Sequence, residues 1–194
     1  MSLAIIILAA GSSSRLGRSK QLLTYQGVSL LKRTALAALE TKLAVFVVLG
    51  ANAQAHQNEI NELPLRVTVN EDWNKGMGHS LKHALKYVLK TIPDIDGVLV
   101  LVCDQPHIHA EHLINLKNQF QEGAASIVAS GYADGAGVPA LFGREWFDHI
   151  LQLPDDQGAR SLITKNKSQV ATVPFPLGAV DIDSEDDVIK FLAD

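Results

Sequence analysis

The sequence is poor in several features that would assign it to common protein classes. It contains a single cysteine, Cys103, in 194 residues, which excludes an internal disulfide and is typical of a reducing compartment. No run approaches the roughly 20 apolar residues that cross a bilayer, and the first apolar run, residues 4–10, is too short for a signal peptide. We therefore expect a cytoplasmic protein that does not enter a membrane.

Positive charge is also in short supply. The chain has 17 lysines and arginines against 21 aspartates and glutamates, a net charge of −4, whereas a nucleic-acid binder normally carries a basic face. The content of 47% hydrophobic and 20% charged residues is that of a globular protein. This composition predicts one domain over residues 1–194, with no nucleic-acid partner.

Two common phosphate-binding motifs are missing. A Walker loop needs Gly-x4-Gly-Lys, but Gly11 and Gly17 are six residues apart and Arg18 follows. A dinucleotide fingerprint needs Gly-x-Gly-x-x-Gly and an acid after the second strand, where this chain has Leu49 and Gly50. The second absence argues against an NAD-dependent oxidoreductase.

A different phosphate loop is present after the first buried run. Residues 4–8 predict a strand, and residues 11–14 are glycine and serines, whose backbone N–H groups can surround an anion. Arg15 and Lys20 add positive charge beside them, which is the charge-assisted pairing that phosphate takes. The alternative is an ordinary strand-to-helix turn.

The rest of the chain alternates buried runs with helical patterns. Apolar runs predict strands at 43–49, 65–69, 98–102 and 125–130, and helical spacing predicts helices at 30–39, 51–62, 80–90 and 111–121. This alternation predicts an α/β fold with a doubly wound, mostly parallel sheet. Because ligands of such sheets bind at the carboxyl ends of the strands, we expect Gly11, Gly78 and Asp104 at one crevice. Residues 131–137 are expected to form a loop beside it.

Asp104 follows the most strand-like run. One or two carboxylates plus substrate phosphates suffice to hold Mg²⁺, so Asp104 is a candidate metal ligand; the alternative is a helix cap or turn residue. Other metal sites are weaker hypotheses. Cys103 with His107, His109 and His112 suggests zinc, and His79 and His83 stand one turn apart, but Cys103 is better explained as a small buried hydrophobe.

Residues 8–20, Leu-Ala-Ala-Gly-x-Ser-x-Arg-x-Gly-x-x-Lys, closely resemble the nucleotide-binding motif of the nucleotidyltransferases that act on the molybdenum cofactor. Residues 70–81, 103–106, 155–160 and 180–188 are similar to further motifs of that family. The resemblance implies a Rossmann-like nucleotidyltransferase fold, in which residues up to about 106 bind the nucleotide and the remainder binds the acceptor. It also implies transfer of CMP from CTP to the phosphate of molybdenum-bound molybdopterin, with release of pyrophosphate and with a molybdenum enzyme or its chaperone as a possible partner. CTP is favoured over GTP because Ala10 stands where guanylyl-transferring relatives tend to have glycine.

The resemblance also implies roles for individual residues. Arg15, Lys20 and Asp104 are the expected catalytic residues, and Asp104 and Asp181 are the expected Mg²⁺ ligands, with Asp183 as the rival to Asp181. Gly137 and Arg160 are expected to bind the acceptor. The expected nucleotide-binding residues lie in three motifs of the first half: Leu8, Ala9, Ala10, Gly11, Ser12, Arg15, Lys20, Gly50, Asn70, Gly76, Gly78 and Ser80.

The sequence departs from the family at two acceptor-side positions. Val138 stands where histidine is expected, and Asp155 replaces a glycine. A surface salt bridge to Asp155 or Asp156 is the alternative for Arg160. These departures keep three other functions open: transfer to a sugar or alditol phosphate, transfer from GTP, and a nucleotide-binding regulatory or chaperone module without catalysis.

Overall fold

The computed structural model describes residues 1–14, 16–123, 125–133, 135–182 and 184–193. The strands are β1 (Leu3–Ala9), β2 (Thr24–Tyr25), β3 (Val28–Ser29), β4 (Ala44–Leu49), β5 (Arg66–Val69), β6 (Gly97–Val102), β7 (Ile127–Tyr132), β8 (Gly135–Gly143) and β9 (Val170–Pro174). The helices are α1 (Leu30–Glu40), α2 (Ala53–Ile60), α3 (Met77–Thr91), α4 (Ala110–Gln121), α5 (Phe147–Leu151), α6 (Arg160–Lys165) and α7 (Glu185–Ala193). Short 3-10 turns include Lys20–Leu22, Trp73–Lys75 and Pro176–Ala179.

Seven of these strands form one sheet in the order β5–β4–β1–β6–β8–β7–β9. Strands β5, β4, β1 and β6 pair in parallel, as do β7 and β9. Only β8 runs antiparallel to its neighbours β6 and β7 among the pairs described. The predicted mostly parallel α/β sheet is therefore confirmed.

Both faces of the central strand β1 are covered by helices, and all seven of its residues are buried. Leu3, Ile5, Ile7 and Ala9 pack on the face that carries α1 and α4. Ala4, Ile6 and Leu8 pack on the other face, against α3 and its neighbours. Two-sided burial explains why β1 reads as a continuous apolar run instead of an alternating one.

The chain reverses its direction of winding next to β1. It passes from β1 through β4 to the edge strand β5, and α3 then returns it to β6 on the opposite side of β1. At such a switch point the segments after the two central strands move apart and leave a crevice at their carboxyl ends. Those segments are the glycine–serine loop after β1 and the Asp104 segment after β6.

Two local predictions are wrong. Helix α3 starts at Met77, after Gly76 with φ 126°, so Ser80 lies inside the helix and does not begin it. Residues 131–137 are mostly paired strand, with Ser130 opposite Gly137. The glycines there admit the Tyr132 ring, because a Cβ on Gly137 would lie 2.7 Å from its Cε2 atom.

The helix cap predicted at Ser29 is confirmed, since its Oγ accepts a hydrogen bond from the Lys32 backbone at 3.3 Å. Across the residues that the structure describes, no helix combines the length and apolarity needed to span a membrane.

Candidate active site

A cavity of about 490 Å³ opens at the carboxyl ends of β1 and β6. Its lining comes from three segments: residues 10–14 with Lys20 after β1, Trp73, Gly76 and Ser80 around the start of α3, and Asp104 after β6. Leu8 also lines it. Gly11 and Asp104 thus lie at one crevice, as the strand order predicts, whereas Gly78 does not line it.

The loop after β1 uses its carbonyl groups internally. The carbonyl of Ala10 accepts from the Ala51 N–H (3.0 Å), that of Gly11 from Gln21 Nε2 (2.8 Å), and that of Ser13 from the Leu16 N–H (3.0 Å). Within the described part of the chain, the backbone N–H groups of residues 11–14 have no acceptor. A run of N–H groups without acceptors beside a lysine is an anion-binding arrangement.

Sequence reasoning did not find Gln21, which braces this loop. Its side chain is only 2% exposed, and its Oε1 accepts from Ser13 Oγ (3.0 Å) and Ser19 Oγ (2.8 Å). The Lys20 N–H in turn donates to Ser13 Oγ at 3.1 Å. Nothing in the sequence spacing marks Gln21, because its partners become neighbours only when the loop folds back on itself.

Lys20 and Asp104 meet inside the cavity. Lys20 Nζ lies 2.6 Å from Asp104 Oδ2, and the two side chains are only 17% and 19% exposed. The loop after β1 and the segment after β6 therefore bring a cation and a carboxylate to one point. Each is suited to a triphosphate, the lysine by binding phosphate directly and the carboxylate through a divalent metal.

The donor set fits Mg²⁺ or Mn²⁺ better than zinc. Among the described residues, no group of three or more His, Cys, Asp or Glu side chains is arranged to hold a metal alone. This matches Mg²⁺, for which substrate phosphates and water complete the coordination. Asp104 supplies the hard oxygen ligand that such a metal prefers.

The C-terminal segment runs beside Asp104. The Ile182 N–H donates to the Asp104 carbonyl at 3.0 Å, and the neighbouring Asp181 is exposed. Burial raises the pKa of Tyr132, the charges of Asp181 and Asp104 raise it further, and that of Arg160 lowers it. All three predicted residues therefore lie near one hydroxyl group. Arg15 and Asp183 fall outside the described residues.

Four predicted nucleotide-binding residues lie behind the cavity wall. A Cβ on Gly50 would lie 2.7 Å from the Ala10 carbonyl, and one on Gly78 would lie 2.5 Å from the Gln157 carbonyl. Asn70 is 1% exposed and donates from Nδ2 to Ser80 Oγ at 3.0 Å. The Ala9 side chain packs on the opposite face of the sheet. Their direct contact with a nucleotide stays a prediction.

The acceptor side is built around Tyr132. Its ring lies between Gly137 and Gly178, where added Cβ atoms would lie 2.7 and 2.8 Å from ring carbons. Its hydroxyl donates to the Val138 carbonyl, and buried Gln105 donates from Nε2 to the Tyr132 hydroxyl (3.0 Å) and to the Gly178 carbonyl (2.8 Å). Gly137 is therefore needed for packing, and its contact with an acceptor remains a prediction.

The substituted position Asp155 has its own partner. Lys82 Nζ lies 2.6 Å from Asp155 Oδ1 and also donates to the Leu153 carbonyl at 2.8 Å. The hydrogen bond from Lys82 lowers the pKa of Asp155. This pair fixes the segment before Arg160, which is exposed at the first position of α6.

The remaining histidine and cysteine candidates have structural surroundings. His83 Nε2 lies 2.8 Å from Thr68 Oγ1, and burial lowers the pKa of this histidine. His112 Nε2 lies 2.8 Å from Ser130 Oγ, and burial lowers its pKa to about 4. Burial also raises the pKa of Cys103 to about 12, so its thiol stays protonated near neutral pH.

Comparisons with known proteins agree with this geometry. The chain is 40% identical to nicotine blue oxidoreductase of Paenarthrobacter nicotinovorans over 107 residues, which span 49% of this chain and 50% of that protein. It is 26% identical to the purine catabolism protein PucB of Bacillus subtilis over 94% of this chain and 89% of PucB. Its structure matches that of Rv0371c from Mycobacterium tuberculosis with a TM-score of 0.87 and 29% identity, over 100% of this chain and 98% of Rv0371c.

The doubly wound sheet, the anion-binding loop and the Lys20–Asp104 pair at its switch point define a nucleotidyltransferase. More particularly, the chain belongs to the MobA-like NTP transferase domain family, which matches residues 5–170. Rv0371c has also been crystallised in complex with manganese, at a TM-score of 0.83 and 27% identity over 100% of this chain and 99% of that one. A divalent metal is therefore consistent with the family.

Proposed function

We propose that this protein transfers CMP from CTP to the phosphate of molybdenum-bound molybdopterin, with Mg²⁺ as the metal. The observation that carries the proposal is the cavity at the carboxyl ends of β1 and β6, where the loop N–H groups, Lys20 and Asp104 meet. In this proposal, residues up to about 106 bind the nucleotide, and the remainder, including Arg160, binds the acceptor. A molybdenum enzyme or its chaperone would receive the product.

The proposed reaction needs charge neutralisation and positioning more than covalent chemistry. An oxygen of the acceptor phosphate attacks the α-phosphorus of CTP, the bond from that phosphorus to the bridging oxygen breaks, and pyrophosphate leaves. Lys20 and the N–H groups of residues 11–14 bind the phosphates and offset the charge on the leaving group. Asp104, with Asp181 beside it, would hold Mg²⁺, which when bound withdraws charge from the phosphate oxygens.

The choice of CTP depends on Ala10, which lines the cavity and is 6% exposed. Its carbonyl already accepts from the Ala51 N–H, so its methyl group is the feature that separates it from glycine. A difference of one methyl group typically gives about 1–3 kcal/mol of discrimination. Ala10→Gly should therefore relax selectivity towards GTP and leave CTP use largely intact. Equal use of both nucleotides by the wild type would overturn the cytidylyl assignment.

Calorimetry of CTP, GTP and NAD, with and without Mg²⁺, tests the proposal. We expect Mg²⁺-dependent binding of CTP, weakened about ten- to a hundredfold by Lys20→Ala, because a hydrogen bond to a charged group is lost. Lys82→Ala is the matched control, since Lys82 makes an equally short pair with Asp155 outside the cavity lining. Absence of nucleotide binding would reject the proposal.

One comparison favours a second candidate function. The relative of 40% identity is named an oxidoreductase, so the same calorimetry includes NAD. Against this candidate, β4 ends at Leu49 and continues to Gly50, which offers no acid for a ribose hydroxyl. Binding of NAD instead of CTP would favour it.

A further inference from the structure

A buried histidine outside the cavity is connected to the phosphate loop. His56 lies on α2, is 0% exposed, and its Nε2 lies 2.6 Å from Ser19 Oγ. Ser19 directly precedes Lys20, which lines the cavity. The contact therefore ties the loop to a helix whose own residues are absent from the cavity lining.

The directions of the hydrogen bonds follow from the Gly11 carbonyl, which can only accept. Gln21 must therefore turn Nε2 towards Gly11 and Oε1 towards Ser13 and Ser19. Because Oε1 can only accept, the hydroxyl of Ser19 donates to it. That hydroxyl then has its lone pairs left for His56, so Nε2 of His56 carries the proton and donates.

This assignment leaves the second ring nitrogen of His56 without a proton. Nδ1 is buried and has no hydrogen-bond partner in the described part of the chain. Burial also lowers the pKa of His56, which favours the neutral ring. The histidine is thus held as a neutral donor, and its one proton is used to hold Ser19.

We propose that His56 is a positioning residue for triphosphate binding, acting through Ser19 and Gln21 on the loop of residues 11–20. The inference rests on the proposed function. The chain of bonds holds the Gly11 carbonyl against Gln21, which keeps that negative dipole engaged within the protein. Without the link from His56, the loop would have to be ordered when the nucleotide binds, and this ordering costs affinity.

The first experiment compares His56→Leu, which removes the donor, with His56→Gln, whose amide can donate from a similar place. The probes are CTP and inorganic tripolyphosphate, each with Mg²⁺, measured by calorimetry. We expect His56→Leu to weaken both probes about tenfold, as loss of a buried hydrogen bond would, and His56→Gln to restore most of the affinity. His83→Leu is the matched control, because His83 also contacts a hydroxyl, that of Thr68, at 2.8 Å.

A double-mutant cycle shows whether His56 acts through Ser19. Ser19→Ala breaks the same chain from a partly exposed position, so His56→Leu combined with Ser19→Ala should bind no more weakly than His56→Leu alone. If His56→Leu fails to fold, as thermal unfolding would show, Ser19→Ala alone must give the tenfold loss.

Three outcomes overturn the inference: wild-type affinity in His56→Leu, equal weakness of His56→Gln and His56→Leu, or additive effects in the cycle. Each leaves the proposed function standing as long as the wild type binds CTP. A wild type that binds neither CTP nor tripolyphosphate rejects the proposed function itself.

Discussion

The nucleotide side and the acceptor side of this molecule use their motif residues differently. On the nucleotide side, residues 11–14 and Lys20 line the cavity, and their side chains and carbonyls hold the loop so that its N–H groups remain for a ligand. On the acceptor side, Gly137 makes room for Tyr132, and Asp155 pairs with Lys82. A motif on the first side corresponds to ligand chemistry, whereas on the second side it corresponds first to packing.

The largest effect that would sharpen this comparison is expected at Asp104, where the two sides meet. Asp104→Ala should lower turnover about a thousandfold, because preorganised charge stabilisation at the reacting phosphate is lost. Nucleotide affinity should change little, since the loop N–H groups and Lys20 remain. Pyrophosphate release from CTP in the presence of molybdenum-bound molybdopterin measures the first quantity, and calorimetry measures the second. A wild-type rate would remove Asp104 from the metal site.

The acceptor side should also set the response of stability to acid. His112 lies beneath the hairpin of β7 and β8, and its pKa is lowered by burial to about 4. Between about pH 6.5 and pH 4 the unfolded chain binds a proton there that the folded chain does not, so stability falls as the pH falls through this window. The loss should approach about 3 kcal/mol from this group.

Urea unfolding at pH 7 and pH 4.5 checks this expectation, with His112→Gln as the variant and His149→Gln as the control. His149 lies in α5, away from Ser130. If His112→Gln has the same pH dependence as the wild type, another group controls the acid response.

A pair of glycines separates ligand binding from packing. A Cβ on Gly78 would lie 2.5 Å from the Gln157 carbonyl, whereas nothing lies within 4 Å of one on Gly11. Gly78→Ala should therefore cost about 1–3 kcal/mol of stability through overpacking. Gly11→Ala should change stability much less, and thermal unfolding of both variants decides between them. Equal destabilisation would contradict the difference drawn between the two sides.

The smallest effect is expected at Asp155. Asp155→Gly restores the residue expected in the family and removes the contact with Lys82, a partly exposed pair of a kind that contributes little to stability. Its melting temperature should stay close to that of the wild type, and Lys82→Met should behave alike. Different melting temperatures for the two variants would show that one of these residues has a further structural role.

The sequence supports the nucleotide side because the signals there are local. The apolar run of β1, the small residues 11–14 and Lys20 follow one another within 18 residues, so their spacing alone brings the loop N–H groups and the lysine together. Family membership and the mostly parallel fold were predictable on the same ground. The helix capped by Ser29 was also predictable, because its hydrogen bond joins residues three apart.

The pairing of Lys20 with Asp104, the brace at Gln21 and the His56 contact were decided by the tertiary structure. They join residues 84, 10 and 37 positions apart, and no periodicity in the sequence records such distances. The glycine-rich segment 131–137 misled for the same reason: glycine predicts a loop locally, but here it admits the Tyr132 ring between packed strands. The sequence by itself determined the order of strands and helices and the chemistry of the phosphate loop, because both depend on neighbouring residues. The tertiary structure decided which side chains support that loop and which glycines serve packing, because those contacts exist only after distant segments have met.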